Sequence, residues 1–304
     1  MEQLERIIQQ VGRVVLGKEP RIRLALACFL ARGHLLIEDL PGIGKTTLAK
    51  VLARSMGLGF ARMQFTSDLL PGDILGMSVF DRDSSSFSFH PGPIFTQIFL
   101  ADEINRATPK SQSALLEAME EGQVTIEGET RPLENPFFVI ATQNPLEQSG
   151  TFPLPESQMD RFLMRIHLGY PDREAEKRIL TGVGSHRILE DLVPCMDRAE
   201  VLAAQDAVDQ VHASDHFIQY LQDILEFSRD SGLFQNGLSP RAGLALAAAS
   251  RGWAFLEGRD YLIPEDLQHV LPWVAGHRLR ALRETGTVSG EQISAWFSRV
   301  AVPV

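Results

Sequence analysis

The sequence Asp39-Leu40-Pro41-Gly42-Ile43-Gly44-Lys45-Thr46 stands between an apolar run at 34–37 and a helix-like run at 46–56. An apolar strand, a glycine-rich turn and a helix in this order predict a phosphate-binding loop, because backbone N–H groups and the helix dipole then face a polyphosphate. The loop departs from the strict pattern G-x-x-x-x-G-K-[ST], since Asp39 holds the first glycine position. Taken alone, the segment is also compatible with an ordinary turn between a strand and a helix.

Each residue type in this loop has a specific use in binding a nucleotide. Gly42 and Gly44 allow the main chain to approach phosphate oxygens without a Cβ atom in the way. Lys45 is placed to bridge the outer phosphates, and the hydroxyl group of Thr46 is expected to ligate Mg²⁺. The nucleotide-contacting residues predicted in the loop are Gly42, Ile43, Gly44, Lys45, Thr46 and Thr47.

A second apolar run, at 98–101, ends in two adjacent acids, Asp102 and Glu103. Asp102 is placed to hold the Mg²⁺ shell, usually through water. Glu103 is placed to orient and deprotonate the water that attacks the γ-phosphate. The alternative is a strand that leaves the core into a polar turn. Helical periodicity resumes at 110–121.

A third apolar run, at 136–142, leads into Asn144 and Pro145. The carboxyl ends of the strands of an open parallel sheet share one edge, so Asn144 is expected near the phosphate-binding loop and Asp102. Its amide group could then hydrogen-bond the attacking water or the γ-phosphate. Asn before Pro is also a common start of a turn, which is the competing interpretation.

Together these segments resemble the AAA+ ATPases, and among them the MoxR family. The resemblance rests on segments spread over most of the chain, at 38–46, 101–107, 141–145, 154–162 and 238–242. In this family an Asp at the first loop position is usual, so Asp39 supports the assignment. The resemblance implies an α/β fold with a P-loop parallel sheet sandwiched by helices, followed by a smaller all-α lid domain.

The resemblance also implies roles for three polar residues outside the loop and the acid pair. Asn144 corresponds to sensor 1, Arg161 to the arginine finger that reaches a neighbouring subunit's nucleotide, and Arg241 to sensor 2. Guanidinium groups suit these roles, because they are permanently charged and their planar donor fork matches phosphate oxygens. Arg165 is a rival for the finger. Arg161 could instead form a surface ion pair, and 239–241 could be a plain helix opening.

The segment 14–17 resembles the stretch that packs on the adenine ring in this family. Val15 and Gly17 are the residues expected to contact the base. An apolar junction between a helix and a loop has a similar sequence, so an entirely structural role is the alternative.

Two segments between the nucleotide motifs read as hairpins. The first lies at about 67–93 and the second at about 122–133, each with alternating residues around a polar turn. The resemblance makes them the helix 2 insert and the hairpin before sensor 1, which point toward the centre of a ring in related machines. The alternative is two surface hairpins without function.

Strand and helix patterns alternate up to about residue 170, and the sequence then becomes helical. Because the strands are nearly all apolar, a parallel sheet covered on both faces is expected. We place the boundary at Pro171, giving a nucleotide-binding core at 1–171 and a helical lid at 172–304. The length and a hydrophobic content of 44% suffice for two domains and two modest cores. Helices are predicted at 173–180, 215–229, 241–256 and 264–271.

Bulk properties favour a soluble cytoplasmic protein without stable membrane insertion. Lys plus Arg number 29 and Asp plus Glu number 39, and the net charge of -10 disfavours nucleic acid as the main partner. Neither a long apolar span nor a signal peptide is visible. Cys28 and Cys195 form no CxxC motif, so a disulfide framework or a zinc site is not expected, and Mg²⁺ is the metal predicted.

The resemblance implies Mg²⁺-dependent ATP hydrolysis coupled to protein remodelling. MoxR-type ATPases are similar to chaperones that aid assembly or metal-cofactor maturation of partner proteins, together with a von Willebrand factor A domain companion, and the homo-oligomer expected is a hexameric ring. One alternative is a nucleotide-gated binding module with little turnover. Another is a DNA-acting AAA+ motor such as a helicase or loader. The sequence at 142–145 lacks the Asn-Lys-x-Asp signature of GTPases.

Overall fold

The computed structural model describes residues 2–82, 85–145, 150–181, 191–282 and 288–302. Its centre is a parallel sheet of five strands, which confirms the predicted sheet class. The strands are β1 (Leu35–Glu38), β2 (Phe60–Gln64), β5 (Ile98–Asp102), β8 (Phe138–Gln143) and β9 (Met164–Ile166). Their order across the sheet is β2-β5-β8-β1-β9. The ends of β1, β5 and β8 therefore lie side by side.

Two antiparallel pairs stand outside this sheet. One consists of β3 (Gly76–Asp81) and β4 (Ser86–Pro91), and the other of β6 (Gln123–Ile126) and β7 (Glu129–Pro132). A short helix, α4 (Pro71–Leu75), precedes β3, so the first inserted segment is not a hairpin alone. The other elements of this part are α1 (Glu2–Val14), α2 (Glu19–Leu30), α3 (Lys45–Ser55), a 3-10 turn (Ile104–Arg106), α5 (Pro109–Glu121) and α6 (Glu156–Met159).

The rest of the described chain is helical, as predicted for the lid. Its helices are α7 (Arg173–Leu180), α8 (Arg198–Asp209), α9 (Asp215–Asp230), α10 (Pro240–Leu256), α11 (Pro264–Ala275) and α12 (Gly290–Phe297). None of the helices formed by the described residues has the length and apolar character that crossing a membrane requires.

Helix α11 continues past the end that the sequence predicts. Pro272 lies inside it, although an internal proline removes a backbone hydrogen bond and disfavours the helix. The prediction of an end at 271 was wrong because Val274 and Ala275, beyond the proline, are fully buried against the large core. Tertiary burial outweighs the local preference of proline here.

The sheet separates two apolar clusters. Successive strand residues point to opposite faces, so Leu35 and Ile37 join one cluster and Leu36 joins the other. The first cluster is large and extends without interruption into helices α8 to α12. The described residues therefore form two apolar cores, one on each face of the sheet, and the larger core includes residues of the helical part.

The closest contact between the two parts is made where α2 crosses α10. A Cβ atom placed on Gly252 of α10 would lie 2.4 Å from the carbonyl oxygen of Ala27 in α2. Such a distance requires the backbones to move apart. Only glycine allows the helical part to pack this closely on the α/β part.

This contact can be tested with two glycine-to-alanine variants. Gly252→Ala is expected to lower the free energy of unfolding by about 1–3 kcal/mol, because it overpacks a rigid backbone contact. Gly12→Ala is the matched control, since Gly12 lies in α1 with no heavy atom within 4 Å of its added Cβ. It should raise stability by about 0.5–1 kcal/mol, as alanine is the better helix former. Urea denaturation measures both, and a Gly252→Ala variant as stable as wild type would contradict the close packing.

Candidate functional site

The glycine-rich loop is shaped by two residues in the left-handed region of backbone conformation. Gly42 has φ +82° and Gly44 has φ +97°, and a Cβ on either would find no heavy atom within 4 Å. Glycine is therefore favoured at both positions by the left-handed backbone conformation and not by steric contact with neighbouring atoms. Helix α3 begins at Lys45 and has no side-chain cap on its first N–H groups. These donors fit an anion at the start of the helix.

A pocket of about 340 Å³ lies over this loop at the carboxyl ends of the central strands. It brings together predicted residues from three separate segments: Lys45 and Thr46 from the loop, the acid pair after β5, and Asn144 after β8. The lining residues are Pro41, Gly42, Gly44, Lys45, Thr46, Thr47, Arg62, Gln64, Asp102, Glu103 and Asn144.

Asp102 is fixed through both of its carboxylate oxygens. Oδ1 accepts a hydrogen bond of 2.6 Å from the hydroxyl group of Thr142. Oδ2 accepts from Nε and Nη2 of Arg62, at 3.1 and 2.7 Å. The carboxylate is thus oriented at the sheet edge by a strand on either side.

Glu103 has a left-handed backbone, with φ 58° and ψ 51°. This conformation is uncommon for a residue other than glycine, and such residues concentrate at functional sites. Its N–H donates to the hydroxyl oxygen of Thr142 at 2.8 Å. Its Oε2 accepts from Nε2 of Gln64 at 2.7 Å and from Nη1 of Arg106 at 3.0 Å. Three contacts therefore hold the second acid.

The ammonium group of Lys45 is surrounded by acidic side chains. Burial lowers the pKa of Lys45, and the nearby carboxylates of Asp39, Asp102 and Glu103 oppose this by favouring the charged form. Its Nζ donates to the carbonyl oxygen of Asp39 at 2.5 Å. The Lys45 side chain therefore reaches back across the loop to its first residue, Asp39.

Asp39 explains why the loop lacks its first glycine. Its carboxylate accepts the backbone N–H groups of Leu168 and Gly169, the latter at 3.2 Å from Oδ2. The side chain therefore ties the start of the loop to the segment after β9. It acts on the backbone of this chain and not on the pocket.

Three predicted contacts of the nucleotide lie away from this pocket. Val15 and Ile43 pack against the large apolar cluster. Gly17, with φ +69°, borders a separate cavity of about 490 Å³ between α1, α2 and Arg178. A Cβ on Gly17 would approach Asp172 and Ala175 at 3.1 Å, so its glycine lets the α1–α2 turn meet α7.

Arg161 and Arg241 also lie outside the pocket. Each guanidinium group pairs with Glu120, at 3.1 Å for Arg161 and 3.2 Å for Arg241. Arg241 is not among the residues that line this pocket. The reason is that the first turn of α10 faces the end of α5.

Arg165 is buried inside the molecule. Its Nη1 contacts Oε2 of Glu38 at 3.0 Å, and its Nη2 donates to the carbonyl oxygen of Gly276 at 2.8 Å. Burial lowers the pKa of Arg165, and the charge of Glu38 opposes that shift. Arg165 thus joins β9, β1 and the helical part, and this placement disfavours it as a group that reaches another subunit.

Arg62, Gln64 and Thr142 contact the acid pair, and the sequence analysis did not name them as site residues. Arg62 and Gln64 are two residues apart in β2 and so share one face. Gln64 pairs in register with Asp102. Two polar side chains with this spacing in a strand next to the acid pair are the signal that could have identified them. Thr142 is the polar residue at the end of an otherwise apolar buried run.

The residues present fit a triphosphate with Mg²⁺. The loop supplies uncapped N–H donors and an open cradle, Lys45 supplies a positive charge, and the hydroxyl group of Thr46 and the carboxylate of Asp102 are oxygen ligands of the kind that Mg²⁺ takes. The described residues contain no cluster of three or more His, Cys, Asp or Glu that could hold a metal without such a nucleotide.

Comparison with known families gives two matches. Residues 34–164 match the ATPase family associated with various cellular activities (AAA), and residues 226–295 match the AAA lid domain. The first match contains the loop, the acid pair and Asn144. The second contains Arg241.

Similar proteins cover nearly the whole chain. Uncharacterized protein YeaC of Bacillus subtilis is 44% identical, with 99% of this chain and 95% of that protein covered. Chaperone MoxR1 of Mycobacterium tuberculosis is 40% identical, with 91% and 75% covered. The crystal structure of a proposed ATPase from Cytophaga hutchinsonii matches with a TM-score of 0.90 at 37% identity, covering 99% of this chain and 94% of that one. The chain therefore belongs to the MoxR family of AAA+ ATPases.

Proposed function

We propose that this chain hydrolyses ATP with Mg²⁺ and couples the reaction to the remodelling of partner proteins. The observation that carries the proposal is the meeting of Lys45, Asp102, Glu103 and Asn144 in one pocket over an uncapped helix start. A cation, a metal-binding acid, a base and an amide are the parts that phosphoryl transfer to water needs.

In this mechanism Glu103 is the base. Gln64 and Arg106 orient its carboxylate, and the left-handed backbone sets the direction in which it leaves β5. Glu103 accepts the proton of the attacking water, while the amide group of Asn144 holds that water or the γ-phosphate.

Thr46 and Asp102 would hold Mg²⁺ in the same pocket. When bound, the ion neutralises charge on the phosphate oxygens. Lys45 and the N–H groups of the loop would bind the phosphates and so hold the terminal phosphate in place for the attacking water.

The proposal includes a homo-oligomer, a hexameric ring, in which Arg161 acts on the nucleotide of a neighbouring subunit. Arg161 is placed apart from the pocket of its own chain, and its side chain is 28% exposed. Arg241 shares the same carboxylate partner, so both cations belong to one surface. A cation on the surface, outside the pocket of its own chain, is accessible to the pocket of another copy.

Protein partners are supported by the first hairpin. Four large apolar side chains, Met77, Val79, Phe80 and Phe87, are exposed on β3 and β4, and Phe87 is 71% exposed. Exposed apolar clusters of this kind mark surfaces for other proteins. We infer chaperone-like work in the cytoplasm on assembly or metal-cofactor maturation, with a von Willebrand factor A domain companion.

The alternatives account for fewer features. A nucleotide-gated module with little turnover has no use for a base held by two donors, as Glu103 is. A DNA-acting motor would need a basic surface, whereas the chain carries a net charge of -10.

The catalytic assignment predicts different effects for two substitutions. Lys45→Ala should abolish ATP binding, because it removes the positive charge of the loop. Glu103→Gln should bind ATP and hydrolyse it at least about 100-fold more slowly, because the base is lost. Lys50→Ala, at an exposed lysine of the same helix, is the control. Phosphate release and binding of a fluorescent ATP analogue measure both steps; unchanged hydrolysis in Lys45→Ala and Glu103→Gln would refute the site.

The two arginine candidates are separated by stability and turnover. Arg161→Ala should fold normally and bind ATP, but lose about 1000-fold in turnover, as expected for an arginine finger. Arg165→Ala should instead lower the free energy of unfolding by about 3 kcal/mol, because Glu38 stays buried without its partner. Phosphate release and urea denaturation distinguish them. A stable Arg165→Ala variant with lost turnover would reverse the assignment.

The hairpin surface predicts a loss of chaperone action without loss of hydrolysis. Phe87→Ser should keep the basal ATPase rate, because the residue is remote from the pocket lining. It should reduce the suppression of aggregation of a chemically unfolded test protein, measured by light scattering. Val193→Ser, at another apolar side chain with 71% exposure, is the control. Equal protection by both variants would contradict a role for the hairpin.

A further inference from the structure

Two arginines from distant parts of the sequence meet on one carboxylate. Nη2 of Arg161 lies 3.1 Å from Oε2 of Glu120, and Nη2 of Arg241 lies 3.2 Å from Oε1 of the same side chain. Arg161 follows α6, Arg241 lies in the first turn of α10, and Glu120 lies in the last turn of α5. The carboxylate of Glu120 therefore holds the two guanidinium groups close to each other.

The electrostatics of the helices oppose this arrangement. Glu120 places a negative charge at the negative end of α5, whose last turn has no basic residue. Arg241 places a positive charge at the positive end of α10, whose first turn has no acidic residue. The dipole of each helix therefore disfavours the charge at its own end, and the ion pair between Glu120 and Arg241 stabilises both charges. Helix formation alone does not explain why these residue types stand here.

The main chain on both sides of Arg161 is held by one buried arginine. Nη2 of Arg278 donates to the carbonyl oxygens of Asp160 at 3.1 Å and Phe162 at 2.8 Å. Its Nε also donates to Oδ1 of Asp160 at 2.6 Å. The backbone at Arg161 is thus fixed at both neighbours. The ion pair with Glu120 then orients the side chain of Arg161.

Positive charge is in excess in this cluster. Among the described residues, the ion pairs of Arg161, Arg241 and Arg278 involve two carboxylates, those of Glu120 and Asp160. The side chain of Arg241 is 50% exposed, so solvent and solutes reach it. A pair of partly exposed guanidinium groups with surplus positive charge is suited to an oxyanion.

We propose that Glu120 is the positioning residue of a two-arginine site that takes the terminal phosphate of ATP bound to a neighbouring copy of this chain. This inference rests on the proposed function, in which Arg161 acts on that neighbour. Glu120 holds Arg161 and Arg241 side by side before the phosphate arrives, so that little reorganisation is needed when charge develops. The triphosphate, which carries more negative charge than one carboxylate, then replaces Glu120 as their partner.

The first experiment removes the charge of Glu120 and keeps its shape. Glu120→Gln should bind a fluorescent ATP analogue as wild type does, because Glu120 does not line the pocket of its own chain. Its kcat for phosphate release should fall by about 10- to 100-fold, because a displacement of about 1 Å at a catalytic group is sufficient for such a loss. Glu121→Gln, at the exposed next residue of α5, is the matched control and should keep kcat.

A mixed assembly tests whether Glu120 acts on the neighbouring copy. Glu120→Gln subunits have an intact pocket, and Lys45→Ala subunits have an intact arginine cluster. Mixing the two inactive variants should restore phosphate release above that of either alone. If Glu120→Gln lowers kcat and mixing with Lys45→Ala subunits does not restore it, the cluster only holds the lid on the sheet within one chain, and the inference is overturned. The same holds if the chain stays monomeric with ATP.

A mutant cycle separates this inference from the proposed function. Glu120→Gln added to a variant that carries both Arg161→Ala and Arg241→Ala should cause no further loss of turnover, since Glu120 acts through those two arginines. Loss of turnover in Arg161→Ala with full turnover in Glu120→Gln would overturn this inference and leave the proposed function intact. Full turnover in Arg161→Ala would remove the finger itself, and the proposed action between copies with it.

Discussion

The catalytic edge depends on one buried hydroxyl group, that of Thr142. It donates to Oδ1 of Asp102 at 2.6 Å and accepts the N–H of Glu103 at 2.8 Å. Thr142 is fully buried in β8, between β1 and β5, so the register of the sheet sets its position. Two acids adjacent in sequence thereby receive different surroundings. Asp102 is held within the sheet edge, whereas Glu103 turns away from it toward Gln64 of β2.

The helical part is joined to the sheet by buried contacts that carry specific polar groups. Arg165 reaches the carbonyl oxygen of Gly276, and Nε2 of His277 lies 3.0 Å from the carbonyl oxygen of Phe162. Burial lowers the pKa of His277 well below its usual value, and the charges of Arg278 and Arg165 act in the same direction. The buried imidazole therefore favours its neutral form as long as the seam stays closed. The seam therefore positions Arg278, which fixes the backbone around Arg161.

Sequence reasoning succeeded where function depends on local order along the chain. Spacing alone predicts a loop between a strand and a helix, and it predicts polar residues at the ends of apolar strands. The parallel sheet then brings Lys45, Asp102 and Asn144 to one edge. It failed where position depends on packing between distant segments. The contribution of Arg62 requires the pairing of β2 with β5, and the direction of Arg241 requires the crossing of α2 and α10. The spacing of Arg62 and Gln64 places both on one face of β2, but it does not tell which strand pairs with β2.

Helix α5 connects the arginine cluster to both hairpins. It ends at Glu121, and Gly122 leads directly into β6, so Glu120 is only three residues from the second hairpin. That hairpin touches the first one in two ways: the hydroxyl group of Ser78 donates to Glu127 at 2.6 Å, and the guanidinium group of Arg131 lies 4.1 Å from the centre of the Phe89 ring. The carboxylate that holds the two arginines is therefore connected, through the end of α5 and Gly122, to the hairpins that carry the exposed apolar side chains.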